Sequence, residues 1–203
     1  KTYDITDRLT NISSDFNGQT VSRAYTYDMV NRRTQAQPES SESWKYNYDG
    51  KGQVTGGYTL NSTNQLIPGF DFAYGYDDIG NLKAEKRNGS IFEYYPNNTN
   101  AYTKRTVPSN LLISGNIPPA SAKVFVQKGT DKPQGATRSG NYFSYLFKAD
   151  NKTSSVEAIF KIYGVLNEQT QDIVSEQDLN VFIPKSPEQY TYDADGKIGR
   201  AHV

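Results

Sequence analysis

The chain has 203 residues, and its 22 Lys plus Arg balance 22 Asp plus Glu. That leaves no net field to steer nucleic acid or an anionic membrane surface. With no cysteine and one histidine, His202, thiol catalysis, thiolate metal sites and any Ser-His-Asp or metal-histidine set are excluded. No apolar run reaches the roughly 18–20 residues of a membrane span, and hydrophobic content is 35% while tyrosine numbers 16 and phenylalanine 9. The core is therefore expected to rest on aromatic rings.

Along the chain, one phrase recurs: aromatic, any residue, Tyr, Asp, then Gly or Asn a few residues on. A degenerate copy is Tyr3-Asp4. Full copies follow at Tyr25-Thr26-Tyr27-Asp28, Tyr46-Asn47-Tyr48-Asp49, Tyr74-Gly75-Tyr76-Asp77 and Tyr190-Thr191-Tyr192-Asp193. The first four aspartates lie 24, 21 and 28 residues apart (from Asp4 to Asp28, Asp49 and Asp77), a period that suits one hairpin per unit. Two aromatics two apart face the same side of a strand. The Asp binds backbone N–H groups two residues on, and the Gly or Asn tolerates left-handed backbone. Asp77-Asp78-Ile79-Gly80-Asn81 shows this turn most fully, and Asp193-Ala194-Asp195-Gly196 follows it. Return strands are expected at Arg8-Leu9, Arg32-Arg33, Gln53-Val54 and Asn81-Leu82-Lys83. An isolated hairpin is marginal in water, so its rings are expected to be kept dry by the next hairpin.

Residues 1–104 read as this array. From 105 to 186 the phrases vanish. Alternating segments at Leu111–Ser114, Ala122–Val126, Tyr142–Phe147, Val156–Tyr163 and Leu179–Ile183, punctuated by Pro and Gly, predict an inserted small β-sandwich. The polar stretch Glu168–Glu176 lacks an apolar face and reads as a loop. Residues 187–197 begin the next repeat. The fold class is thus all-β: antiparallel repeat hairpins interrupted by a β-sandwich module.

Tyr74 to Leu82 resembles the consensus of the Rhs/YD-repeat family, close to Tyr-x-Tyr-Asp-x-x-Gly-Asn/Arg-Leu. Val181 to Gly196 is similar to the end of a β-module in Verrucomicrobia-type members. The resemblance implies a fragment of a very large bacterial protein, secreted or at the cell surface, whose repeats spiral into a hollow β-shell, as in teneurins and insecticidal toxin complexes. Its partners would be the remainder of its own long chain and, in some members, an enclosed C-terminal toxin domain. The family's self-cleavage motif and a toxin domain have no counterpart here, so neither activity is carried over. A repeat already under way at Lys1, without an initiating Met, is expected of an internal fragment. Residues 198–203, Ile-Gly-Arg-Ala-His-Val, break the motif and match a translated sequencing adapter, so they are expected to be a non-native tail.

Residue by residue, little points to chemistry. Asp193-x-Asp195-Gly196 looks like the start of a calcium loop, but it reads as a turn, because the same Asp-x-x-Gly recurs in other units without the extra Asp. No two acids stand out as a glycosidase pair. Arg32-Arg33 with Lys45 reads as a solvated face. The Asn-x-Ser/Thr triplets at Asn11, Asn61, Asn88, Asn97 and Asn151 are acceptors only in a glycosylating host. Trp44, Tyr142, Tyr145 and Tyr163 are candidate contacts for surface glycans, although such rings more often form core. No enzyme activity and no cofactor are expected. The structural reading, with Tyr3, Asp4, Tyr25, Tyr27, Asp28, Tyr46, Tyr48, Asp49, Tyr74, Tyr76, Asp77, Gly80, Asn81, Tyr190, Tyr192, Asp193 and Gly196 as its repeat residues, competes with a carbohydrate-binding or adhesion module.

Overall fold

The structure, a computed structural model, describes residues 1–38, 42–167 and 171–198. Its regular elements are all β-strands in antiparallel pairs, so the fold is all-β as the sequence predicts. The chain divides into two compact units, Lys1–Tyr74 and Gly75–Val203.

Unit one is a meander of β1 (Thr2–Tyr3), β2 (Leu9–Phe16), β3 (Gln19–Tyr27), β4 (Arg33–Pro38), β5 (Ser43–Tyr48), β6 (Val54–Leu60) and β7 (Leu66–Tyr76, which runs just past the unit boundary). Each strand pairs with the next in sequence. Between β2 and β3 the hairpin closes on Asn17-Gly18, with φ of 50° and 78°. Positive φ at both central residues matches the twist of the flanking strands.

The register makes this sheet two-sided. Tyr25 lies opposite Ala36, Ala36 opposite Trp44, Trp44 opposite Thr59, and Tyr46 and Phe72 flank Gly57. The opposite face carries Ser13 with Ser22, Thr26 with Gln35, and Gln35 with Lys45, whose ammonium donates to the Gln35 amide oxygen. Ala36 and Ile67 are the buried hydrophobic residues of the unit among those described. The unit is therefore a single layer. Here one expectation fails: Tyr25, Tyr27, Tyr46, Tyr48 and Tyr74 are half-buried rather than dry, and Tyr3 is 56% exposed. A neighbouring hairpin in a meander lies beside the rings, not over them, so only their flanks are covered.

Unit two contains β8 (Leu82–Arg87), β9 (Ser90–Pro96), β10 (Tyr102–Arg105), β11 (Asn110–Asn116), β12 (Lys123–Lys128), β13 (Gln134–Gly135), β14 (Thr137–Ser139), β15 (Tyr142–Lys148), β16 (Val156–Leu166), β17 (Ile173–Ile183) and β18 (Glu188–Gln189). Strands β8, β9, β10 and β18 lie side by side. The intervening strands form two sheets, β11-β15-β14 and β13-β12-β16-β17. Alternation decides what faces inward: in Lys123-Val124-Phe125-Val126-Gln127, Val124 and Val126 are buried while Lys123 is exposed. With Val107, Ile113, Phe143, Phe147, Ala158, Phe160 and Ile183 they make one core, in which the Phe147 and Phe160 rings meet edge-on at 5.0 Å.

The polar stretch read as a loop begins a strand instead. Ile173–Glu176 pair with Leu166–Tyr163 at the start of β17, because continuous backbone pairing outweighs the polar side chains. Glu168–Thr170 lie outside the described residues. So do residues 199–203 of the suspected tail, while Ile198 bridges to Tyr192.

Candidate functional site

The repeated Asp builds one turn each time. In the second copy, the Asp28 N–H donates to the Arg32 carbonyl (2.9 Å) and the Asn31 N–H to the Asp28 carbonyl (3.2 Å). Asp28 Oδ1 accepts the N–H groups of Val30 (3.0 Å) and Arg32 (2.9 Å), and Oδ2 accepts Arg32 Nε at 2.6 Å. The same backbone pair closes the turns at Asp4, Asp49, Asp77 and Asp193. The residue three after each Asp has positive φ: Asp7 61°, Asn31 67°, Gly52 85°, Gly80 96° and Gly196 74°. Only Gly and short Asn or Asp side chains enter that region cheaply.

Two further turns of this kind escape the sequence pattern. Asn61 and Asn97 close identical backbone pairs, with Asn64 (φ 59°) and Asn100 (φ 62°) at the third position. Asn61 Oδ1 accepts the Thr63 N–H (2.9 Å), the Thr63 hydroxyl (2.8 Å) and the Gln65 N–H (2.9 Å). Asn97 does the same with Thr99 and Ala101. These Asn-x-Thr triplets, which look like glycan acceptors, are the amide form of the Asp4-x-Thr6 turn, where Thr6 Oγ1 donates to Asp4 Oδ1 at 2.9 Å.

Three turns, at Asp4, Asp28 and Asp77, reach the next one through the side chain four residues after the Asp. Arg8 Nη1 donates to the Asp28 carbonyl (3.0 Å) and Asn31 Oδ1 (3.2 Å), and Arg32 Nη1 donates to the Asp49 carbonyl (2.8 Å). Each guanidinium also lies over the next phrase's second ring, Arg8 on Tyr27 at 5.2 Å and Arg32 on Tyr48 at 4.9 Å. Such contacts contribute about 0.5–1 kcal/mol each at exposed sites. The same rings reach the previous return strand: Tyr27 OH donates to the Leu9 carbonyl (2.8 Å), Tyr48 OH to Arg33 (2.7 Å) and Tyr192 OH to Tyr102 (2.8 Å). In unit two, Asn81 Nδ2 links Asp77 Oδ2 (2.9 Å) to Asn100 Oδ1 (3.1 Å). The Arg32-Arg33 cluster is thus committed to the array, since Arg33 lies 4.1 Å over the Tyr25 ring.

These bonds favour the charged form of three of the carboxylates, Asp4, Asp28 and Asp77. The Arg8 N–H, with the Arg8 guanidinium and Thr6, takes Asp4 far below the usual carboxylate range. For Asp28, desolvation pushes upward but the Arg32 N–H and guanidinium prevail, so it too is lowered. Asp77 is lowered by Asn81, Ile79 and Gly80 against the same opposing desolvation. In the calcium-like segment, Asp193 Oδ1 accepts the Asp195 and Lys197 N–H groups at 3.0 and 2.8 Å, which is turn chemistry. Among the described residues no group of three or more His, Cys, Asp or Glu is placed to hold a metal ion.

The candidate glycan contacts separate. On unit one, Trp44 runs nearly parallel to Tyr46 (6.3 Å, 10°) and Phe72 (6.5 Å, 14°), with Phe70 edge-on at 5.7 Å. Tyr142, Tyr145 and Tyr163 do not come together. Tyr142 and Tyr145 point to opposite faces of β15, Tyr145 against the core, and Tyr163 lies on the other sheet with its OH on Gln127 (2.9 Å).

A polar cluster in unit two was not legible beforehand. Glu85 and Glu188 are the buried acids among the described residues. Glu85 accepts Arg87 Nε (2.5 Å) and Nη2 (3.0 Å) and Tyr94 OH (3.0 Å). Glu188 accepts Arg105 Nε (2.5 Å) and Tyr190 OH (3.3 Å). Desolvation, helped by Glu188, pushes the Tyr190 phenol up to about 12, and desolvation with Glu85 raises Tyr94. Arg105 is raised because Glu188 outweighs its own desolvation. Each carboxylate is engaged by an arginine and a tyrosine, so the cluster is built to hold strands together. Arg105 and Glu188 are cross-strand partners of β10 and β18.

No family model and no curated protein matches the chain. Among solved structures it is similar to one described as the crystal structure of TcdB2-TccC3-Cdc42, at 11% identity and a TM-score of 0.46. That match covers 100% of this chain and 11% of the other, so the chain spans about a tenth of its length.

Proposed function

We propose that this chain is a wall segment of a large exported Rhs/YD-type β-shell, working by enclosure or display at a bacterial surface and not by catalysis. One observation carries the reading: each repeated turn spends its Asp on its own backbone, and three of them, at Asp4, Asp28 and Asp77, spend the Arg or Asn four residues on in reaching the next turn. Side chains committed to their neighbours make a rim that extends by addition of like units. A single-layer sheet with one aromatic and one polar face suits a wall between two environments. The test is the full-length gene product, imaged by electron microscopy and subjected to limited proteolysis. A hollow, protease-resistant particle is expected. A solid globular enzyme, or an extended chain cut freely between repeats, overturns the reading.

A second reading has its own observation. Three near-parallel, half-buried rings at Trp44, Tyr46 and Phe72 offer a stacking surface for sugar faces, which would make the segment an adhesion module. A glycan array on the intact chain, followed by titration of Trp44 fluorescence, tests it. Absence of any saturable change in Trp44 emission removes this alternative.

A further inference from the structure

We infer that β17 is a docking edge for an extended peptide strand of another polypeptide, one that alternates basic and apolar residues. In the order β13-β12-β16-β17 it is the outermost strand. It pairs with β16 without interruption over eleven positions, Val156↔Ile183 to Leu166↔Ile173. Sheet edges are normally blunted by shortness, bulges, proline or lysine. Of the other end strands of the module's two sheets, β13 and β14 are two and three residues long and β11 is seven. β17 lacks all four: it is long and regular, and its sequence IVSEQDLNVFI contains no Pro, Lys or Arg, so its only edge charges are the acids Glu176 and Asp178. Ile173, Val174 and Phe182 stand 59%, 57% and 52% exposed.

Its two faces specify the visitor. On the outer face, Glu176 and Asp178 share one cation, Lys161 of β16 (3.4 Å to Asp178), and Glu157 lies on the same face. That surface keeps an excess of negative charge. On the inner side, Gln177 and Leu179 border a cleft between the two sheets, lined also by Ile162 and Phe143. A strand laid against β17 would alternate accordingly, with cations beside Glu176 and Asp178 and apolar side chains toward the cleft. Backbone bonds would supply affinity, and the alternating side chains specificity. A second copy of β17 fits poorly. Antiparallel pairing about its middle sets Asp178 against Asp178, or Glu176 against Asp178, and like charges directly opposite destabilise a sheet.

The test uses the whole chain and a labelled nine-residue peptide alternating Lys and Val, read by fluorescence anisotropy. Saturable binding is expected. It should weaken by about tenfold or more for the same peptide N-methylated at alternate residues, which removes ladder donors. D178N should weaken binding severalfold and flatten its salt dependence. Q177P should abolish binding. S175K, which leaves the backbone intact and adds a cation on the cleft side, should weaken it also and covers the case in which the proline variant fails to fold. Equal binding of the N-methylated peptide, or of one with its Lys and Val in separate blocks, means charge attraction alone and overturns the proposal. So does a concentration-dependent dimer of the chain that S175K dissociates, since a second copy would then be the occupant.

Discussion

Asn151 is 1% exposed and joins the two ends of the sandwich module. Its Nδ2 donates to the Val107 carbonyl (3.1 Å) and the Pro184 carbonyl (2.9 Å), and its own carbonyl accepts the Ser186 N–H (2.8 Å). Asn151→Asp keeps the volume and removes both donor hydrogens, so it separates hydrogen bonding from cavity effects. Two buried carbonyls then lose their partner, at about 1–3 kcal/mol each, and an ionised Asp would face two carbonyl dipoles as well. A loss of at least ~3 kcal/mol is expected. For a unit of this size that lowers Tm by roughly 10–15 °C. Far-UV circular dichroism is the proper probe, because Trp44, the only tryptophan, lies in unit one. Acid should restore part of the loss, since a protonated carboxyl regains one donor. A variant within about 0.5 kcal/mol of the parent at neutral pH would refute the role assigned to Asn151.

Acid should also loosen the array. Asp4, Asp28 and Asp77 are lowered from the usual 3.8 in the folded chain, so their contribution is complete above about pH 4 and is lost as pH falls through the lowered values. A Tm that stays flat from pH 5 to about 2 would contradict this. Asn64→Gly removes the steric cost of φ 59° and should raise stability by about 0.5–1 kcal/mol in urea unfolding. Gly115→Ala should cost about 1–3 kcal/mol, because a Cβ there would sit 2.8 Å from the Phe143 ring, which is buried and cannot yield.

What the sequence disclosed followed chemical redundancy. At Asp77 the turn announces itself through Tyr76, Gly80 and Asn81 together, whereas at Asn61 and Asn97 the preceding residues are Leu60 and Pro96, and Asn stands in for Gly. A looser rule would have found both: Asp or Asn, then three residues later any residue that accepts a left-handed backbone. The Trp44 cluster depends on a register shift between β6 and β7, which aligns Phe72 with Gly57, and periodicity alone does not reveal that. Glu188 meets Arg105 only because the chain returns beside β10 after a long excursion, whereas Glu85 draws Arg87 and Tyr94 from its own hairpin. The half-burial of the tyrosines has a plainer cause: a motif tells which rings share a face, not whether a second layer covers it.

The juxtaposition of Arg105 with Glu188 has an evolutionary consequence. Because the chain leaves and rejoins β10 and β18 at facing positions, the sandwich hangs from a closed stem and could be exchanged for a two-residue Asn-Gly connection, like those after Phe16 and Arg87, without re-registering the hairpins on either side. Excision of residues 107–186 with such a linker should leave a folded chain that retains the strand signal of its repeats. Loci of this kind let a lineage try new appendages on an unchanged scaffold, so diversity should concentrate between Arg105 and Glu188 while the turns at Asp77 and Asp193 stay fixed.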